Sequence, residues 1–158
     1  MKKLILAVLA TMTINISMGQ VKVYKGTSNY GGDVICNLAN QKIYKKTSSY
    51  SGDVTCNVSK NKIFKGTSTY SGDVLYNIAE GKVYKGTSTY SGDIVMNIKD
   101  GKIYKNTSTY SGDVIATIRD GKVFTGTSSY SGDIAFSIKG DVTIEEFVAI
   151  WYTIKYIY

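Results

Sequence analysis

Residues 21–140 repeat every twenty positions, six times over, without an insertion. A period of this size makes each unit one supersecondary element, which buries its apolar face only against copies of itself. Ser71–Glu80 (SGDVLYNIAE) and Gly81–Tyr90 (GKVYKGTSTY) together spell the unit. Leucine-rich and two-helix repeat patterns are absent. Each half instead alternates with period two, the signature of a strand. The first run, Asp73–Ala79, sets Val74, Tyr76 and Ile78 against Leu75, Asn77 and Ala79. The second, Lys82–Thr89, sets Val83, Lys85 and Thr87 against Tyr84, Gly86 and Ser88. Glu80-Gly81, Asp100-Gly101 and Asp120-Gly121 suit tight hairpin turns with positive φ, and Asn40-Gln41 and Lys60-Asn61 are poorer versions. The other connection reads Tyr-Ser-Gly-Asp, or Tyr30-Gly31-Gly32-Asp33 in the first unit. Its Gly and Asp permit a sharp reversal closed by an Asx-type hydrogen bond.

The repeat region opens with a strand of the second type (Val21–Tyr30) and finishes with one of the first (Asp133–Lys139). Pairing these two completes a sixth hairpin, closes the ring and removes both sheet edges. The expected fold is mainly β: a closed antiparallel 12-stranded barrel of six 20-residue hairpins over residues 20–140. So many strands enclose more space than their own side chains fill. Residues 141–158 supply the filling as a hydrophobic C-terminal helix plugging the centre. Thr143-Ile144-Glu145-Glu146 forms a capping box, and Val142 and Phe147 occupy the staple positions. Glu145 and Glu146 suit the positive helix start, and Lys155 suits its end. The body from Phe147 onward is apolar almost all round, as a buried helix must be.

An asymmetric helix inside a near-symmetric ring needs a variable contact, because interiors are densely filled. Cys36, Cys56, Tyr76, Met96, Ala116 and Phe136 form such a column, apolar but of very different volumes. The uniform columns on either side begin with Val34 and with Leu38. Cys36 and Cys56 lie in neighbouring units with one strand, Lys42–Ser49, between them. Two interstrand spacings put their Cα atoms about 9–10 Å apart, whereas a disulfide needs no more than about 7 Å. Two free, buried thiols are expected.

The units Tyr84–Asp93 (YKGTSTYSGD) and the closing Thr143–Tyr152 (TIEEFVAIWY) resemble the bacterial β-flower family across essentially all of residues 20–158. The resemblance implies a symmetric ring of hairpins around a hydrophobic C-terminal helix. That plan is similar to the tubby and phospholipid-scramblase barrels, some of which bind phosphoinositides or act at membranes. It implies no catalytic residue, and no tubby lipid-binding residue maps onto this chain.

Residues 1–19 read as a signal peptide. Lys2 and Lys3 are basic, Leu4–Ala10 is apolar, and Ser17-Met18-Gly19 is a small-x-small cleavage site. Export to the periplasm or beyond is expected. Loss of those two lysines takes the formal charge from +7 to +5, too mild and dispersed for a nucleic-acid surface. With no His and only two Cys, the usual zinc sites and Ser-His or Cys-His pairs cannot be built. A non-enzymatic chain without cofactor or metal is expected. One Asp per Gly-Asp turn is also too few for calcium's six to eight oxygens.

Two columns are candidates for binding. Lys25, Lys45, Lys65, Lys85 and Lys105, broken by Thr125, form a cationic rim for anionic lipid or envelope surfaces. Tyr30, Tyr50, Tyr70, Tyr90, Tyr110 and Tyr130 accompany Asp33, Asp53, Asp73, Asp93, Asp113 and Asp133 in the loops. Stacking platforms beside hydroxyl acceptors suit a multivalent glycan-binding module. The bland alternatives are a solubilising lysine face, and turns in which Asp caps the reversal while Tyr packs over the neighbouring hairpin.

Overall fold

The computed structural model describes residues 20–158; the signal peptide expected over residues 1–19 lies outside the described residues. Twelve strands follow one another around a closed barrel. They are β1 (Val21–Lys25), β2 (Val34–Ala39), β3 (Lys42–Lys45), β4 (Val54–Ser59), β5 (Lys62–Lys65) and β6 (Val74–Ala79). Then come β7 (Lys82–Lys85), β8 (Ile94–Lys99), β9 (Lys102–Lys105), β10 (Val114–Arg119), β11 (Lys122–Thr125) and β12 (Ile134–Lys139). Helix α1 (Ile144–Tyr156) follows. β1 pairs antiparallel with β12, Val23 opposite Ile138, so the ring closes as expected.

The odd-numbered strands are shorter than the alternation suggests. β7 ends at Lys85 instead of Thr89, β3 at Lys45 instead of Ser49, and β1 at Lys25 instead of Tyr30. The next residue is left-handed in each, with φ of 53° at Gly26, 50° at Lys46 and 58° at Gly86, which turns the chain out of the ladder. The tight hairpins behave as read: Asp120 and Gly121 have φ of 50° and 69°, the pairing a two-residue primed turn requires. A Cβ at Gly121 would meet the Ile138 carbonyl oxygen at 2.7 Å.

Which side chains face inward departs from the alternation. Between β1 and β2 the register steps from Val23↔Cys36 to Tyr24↔Val34 and skips Ile35. The same step recurs in the other five contacts between units. Each is a β-bulge, where one strand carries an extra residue and the side chains re-aim. The Val34 column, grouped by alternation with the inward Cys36 and Leu38, therefore shares the outer face with Tyr24. The bulged residues Ile35, Leu75 and Val95 pack on the inner core instead. Each bulge carbonyl is satisfied; that of Leu75, for example, accepts from the Gly86 amide at 2.9 Å.

Two apolar layers result. The inner one is a fully buried ring of Val23, Ile43, Ile63, Val83, Ile103 and Val123 with the variable column and α1. The outer one holds Val34, Ile94 and Ile134 with Phe64, Tyr84 and Phe124, all buried. The long loops cover it. The Asn57 side-chain amide donates to the carbonyls of Gly66 at 2.9 Å and Ser68 at 2.8 Å. Asn37, Asn77 and Asn97 bind their own loops, and Thr117 and Ser137 do so with hydroxyls.

Helix α1 starts as read: the Thr143 hydroxyl accepts from the Glu146 amide, and the Glu146 carboxylate accepts from the Thr143 amide at 2.9 Å. The variable column meets it. Tyr76 stacks edge-on to Tyr152 at 6.0 Å between ring centres, and Phe136 lies 6.3 Å from Trp151. The helix is not central. It lies closest to β2–β5, where the buried Thr55 and Thr153 hydroxyls hydrogen-bond at 2.7 Å. The Cys56 thiol donates to the Ala149 carbonyl at 3.5 Å.

Cys36 and Cys56 are free and buried, as the strand spacing requires. Burial, helped by the neighbouring Cys56, pushes the Cys36 thiol up to about 12 from an ordinary 9.0. Burial takes Cys56 to about 11, against hydrogen bonds with Thr153 and Thr55 that lower it. Denatured protein without reductant should titrate two thiols, and native protein none at neutral pH. The folded pKa values exceed the unfolded ones, so this contribution is constant below pH about 9 and is lost as pH rises toward 11–12. Urea midpoints measured from pH 8 to 11 should fall, with a shallower slope in Cys36→Ala.

A second stability test concerns the loops. Asn57→Ala leaves two carbonyls without their donor and should cost about 1–3 kcal/mol in urea unfolding. An unchanged midpoint would mean that the loops hold the outer face without it.

Candidate functional site

All six long connections leave the ends of the odd-numbered strands and return to the even-numbered ones, so they crowd one end of the barrel. β12 runs toward the opposite end. α1 therefore starts there and runs back through the lumen, bringing its last turn out among the long loops. Exposed Tyr156, Ile157 and Tyr158 mark that exit.

The candidate lysines form the last inward-facing rung at this end. Lys25 lies opposite Phe136, Lys45 opposite Cys36, Lys65 opposite Cys56, Lys85 opposite Tyr76 and Lys105 opposite Met96. Directly opposed residues share a face, so the lysines ring the mouth on the side of the helix, and all five are exposed. Each is two strands from the next, about 10 Å. That is close to the Debye length of about 8–10 Å at physiological salt, so their fields overlap. Thr125, opposite Ala116, is the gap.

A second lysine column went unread. Lys22, Lys42, Lys62, Lys82, Lys102 and Lys122 are present in all six units. They pair with the loop-holding column, Lys42 opposite Asn57 for example, and so face outward near the tight hairpin turns. Their unbroken twenty-residue spacing was the available signal. The barrel thus carries cations at both ends, on opposite faces of the sheet.

The six loop tyrosines are 70–79% exposed, so they do not pack over neighbouring hairpins. In the first unit the Tyr30 ring lies over Gly32, where a Cβ would meet it at 2.6 Å. One ring face is spent on the chain's own backbone, and the rest is open to solvent. The aspartates serve the loop itself, though not through the expected Asx turn. The Ser28 hydroxyl donates to Asp33 at 2.6 Å and accepts from the Tyr30 amide at 3.1 Å. The Asp33 amide donates to the Tyr30 carbonyl at 3.0 Å, closing a short 3-10 turn. Asp53, Asp73, Asp93, Asp113 and Asp133 repeat the bond to serine.

At the helix exit, burial foremost and Tyr156 next hold the Tyr76 hydroxyl well above its ordinary range. Burial also raises Tyr152, with Cys56 and Tyr156 adding. Burial raises Tyr158 despite an opposing hydrogen bond with the Lys46 backbone. These phenols stay neutral. They form a hydrogen-bonding apolar centre inside a ring of cations. Among the described residues, no three carboxylate or thiol groups come together as a metal site.

The family model for the 6-fold beta flower protein matches residues 23–151. Comparison with curated proteins and with solved structures returns no match. With that match running from within β1 through β12 and into α1, the chain belongs to the six-fold beta flower family.

Proposed function

We propose that the protein is an exported, non-enzymatic binding or scaffold module that docks its loop-bearing end on anionic lipid or envelope surfaces. One observation carries this reading: five exposed lysines, six exposed tyrosines and an exposed apolar helix exit share the same end. Each lysine near an anionic membrane contributes about 1 kcal/mol. Tyrosine suits the headgroup region, with an apolar ring body and a polar tip. Among the described residues no helix is long and apolar enough to cross a membrane, so the proposed contact is peripheral.

The open tyrosine faces favour a second reading, a lectin-like module that stacks sugar rings across several loops. The aspartates weaken it, because each already accepts a serine hydroxyl.

Sedimentation with vesicles containing phosphatidylglycerol tests the first reading. At low salt the protein should pellet with the vesicles. It should leave them at 1 M salt, where the Debye length shrinks to about 3 Å. Replacing Lys45, Lys65 and Lys85 by Gln should abolish pelleting, while the same change at Lys42, Lys62 and Lys82 should spare it. Equal binding by both variants, or binding insensitive to salt, would sink the lipid reading. Binding to a glycan array lost on Tyr50→Ala and Tyr70→Ala would establish the other.

A further inference from the structure

The off-centre helix packs less closely on its far side. Between α1 and the wall of β10–β12 lies a half-open cavity of about 240 Å³. Its origin is three small residues where other units carry larger ones. Ala116 stands where Met96 and Tyr76 do, Ala135 where Leu75 and Val95 do, and Thr125 where the lysines do. Trp151 and Ile154 form the helix side. Ile115, on the bulge here, is 38% exposed, whereas Ile35 and Leu75 at the same position pack on the core. The accessible apolar surface of the pocket comes from Ile115, Trp151 and Ile154, while Ala116, Val123 and Phe136 form its buried floor. An occupant would add dispersion contacts to that exposed surface.

The cavity also has a polar end. Its accessible lining runs from Trp151 and Ile154 to Thr125 and Lys155 at the lysine-bearing mouth. The sixth place of the lysine ring is vacant on the strand, and a helix lysine borders the gap. Lys25 lies directly opposite Phe136, another lining residue. Apolar walls reject a uniformly polar ligand, and a cationic mouth disfavours a cationic one.

We propose that this cavity binds one unbranched acyl chain, with its anionic head group at Lys155 and Lys25. An apolar cavity of about 150 Å³ accepts benzene, so the present one suits a chain of about eight to ten carbons. The site goes beyond surface docking, because a soluble amphiphile fills it without any bilayer. A free fatty acid and a lipid tail offer the same chemistry.

Trp151, the single tryptophan, reports on the site. Titration of the purified protein with sodium decanoate, below its micelle concentration, should change Trp151 fluorescence saturably. Decyltrimethylammonium should bind at least tenfold more weakly. Ala116→Met, which copies Met96, should weaken decanoate at least tenfold, as should Ala135→Leu, which copies Leu75. Lys155→Gln should weaken decanoate several-fold and leave decanol unchanged. A ten-carbon lysophosphatidylglycerol separates the two sources: binding of it alone indicates a membrane lipid, and binding of decanoate a free acid. A decanoate analogue carrying a photoreactive diazirine should label Trp151, Ile154 or Ala116 in the unaltered protein, which requires no variant to fold. Absence of saturable binding by both amphiphiles, undiminished binding by folded Ala116→Met, equal binding of the cationic analogue, or labelling elsewhere would overturn the proposal.

Discussion

A twelve-stranded ring encloses a lumen that one short repeat, copied six times, cannot fill by itself. The filler must come from outside the repeat, and a single helix has no sixfold symmetry to match its container. The rest of the structure accommodates that mismatch. The identical positions of the ring, Val23 through Val123, make a uniform wall. The bulges then let two successive positions per unit reach inward, one variable in volume and one variable in polarity. Thr55 uses the second of these to meet Thr153 and fix the helix to one side. The vacancy on the other side follows directly.

The loops obey a separate economy. Odd-numbered strands of four or five residues offer few ladder bonds, and a closed sheet still has an outer face to cover. The left-handed residue after each lysine folds the chain back over that face, and the Asn, Thr or Ser column ties it down. Serine and aspartate finish the turn internally. The tyrosine ring is left exposed and takes no part in these hydrogen bonds. The exposed ring and the bonds that hold the loop therefore fall on different residues of one ten-residue segment.

Much of this was legible in the residues. The turn dipeptides and the Thr143–Glu146 box require only local chemistry, the end strands are complementary halves of one repeat, and each predicts its element correctly. The lysine and tyrosine columns were visible for the same reason, as positions that recur. The facing of Val34 and Ile35 was not, because a bulge is set by pairing across strands and leaves the alternation within one strand intact. Lys46 and Asn106 hid the chain reversal, since neither advertises the positive φ that Gly86 suggests. The Asn37 column looked like an ordinary outward polar position, and only the folded loops reveal that it is buried. The side of the ring on which the helix lies was not legible either, since Thr55 and Thr153, which meet there, are separated by most of the chain.

The seam between β1 and β12 also orders events in time. Five hairpins are local in sequence, but the sixth joins the first strand to the last. Until then β1 presents an open edge, and α1 has no complete wall to enter. The slowest contact to form is thus the one that seals the ring, as expected for strands distant in sequence. A second incompletely folded copy offers the same β12 to the same edge. Refolding at high protein concentration would favour exchange of that strand between chains, and the product would keep every native pairing while linking two barrels.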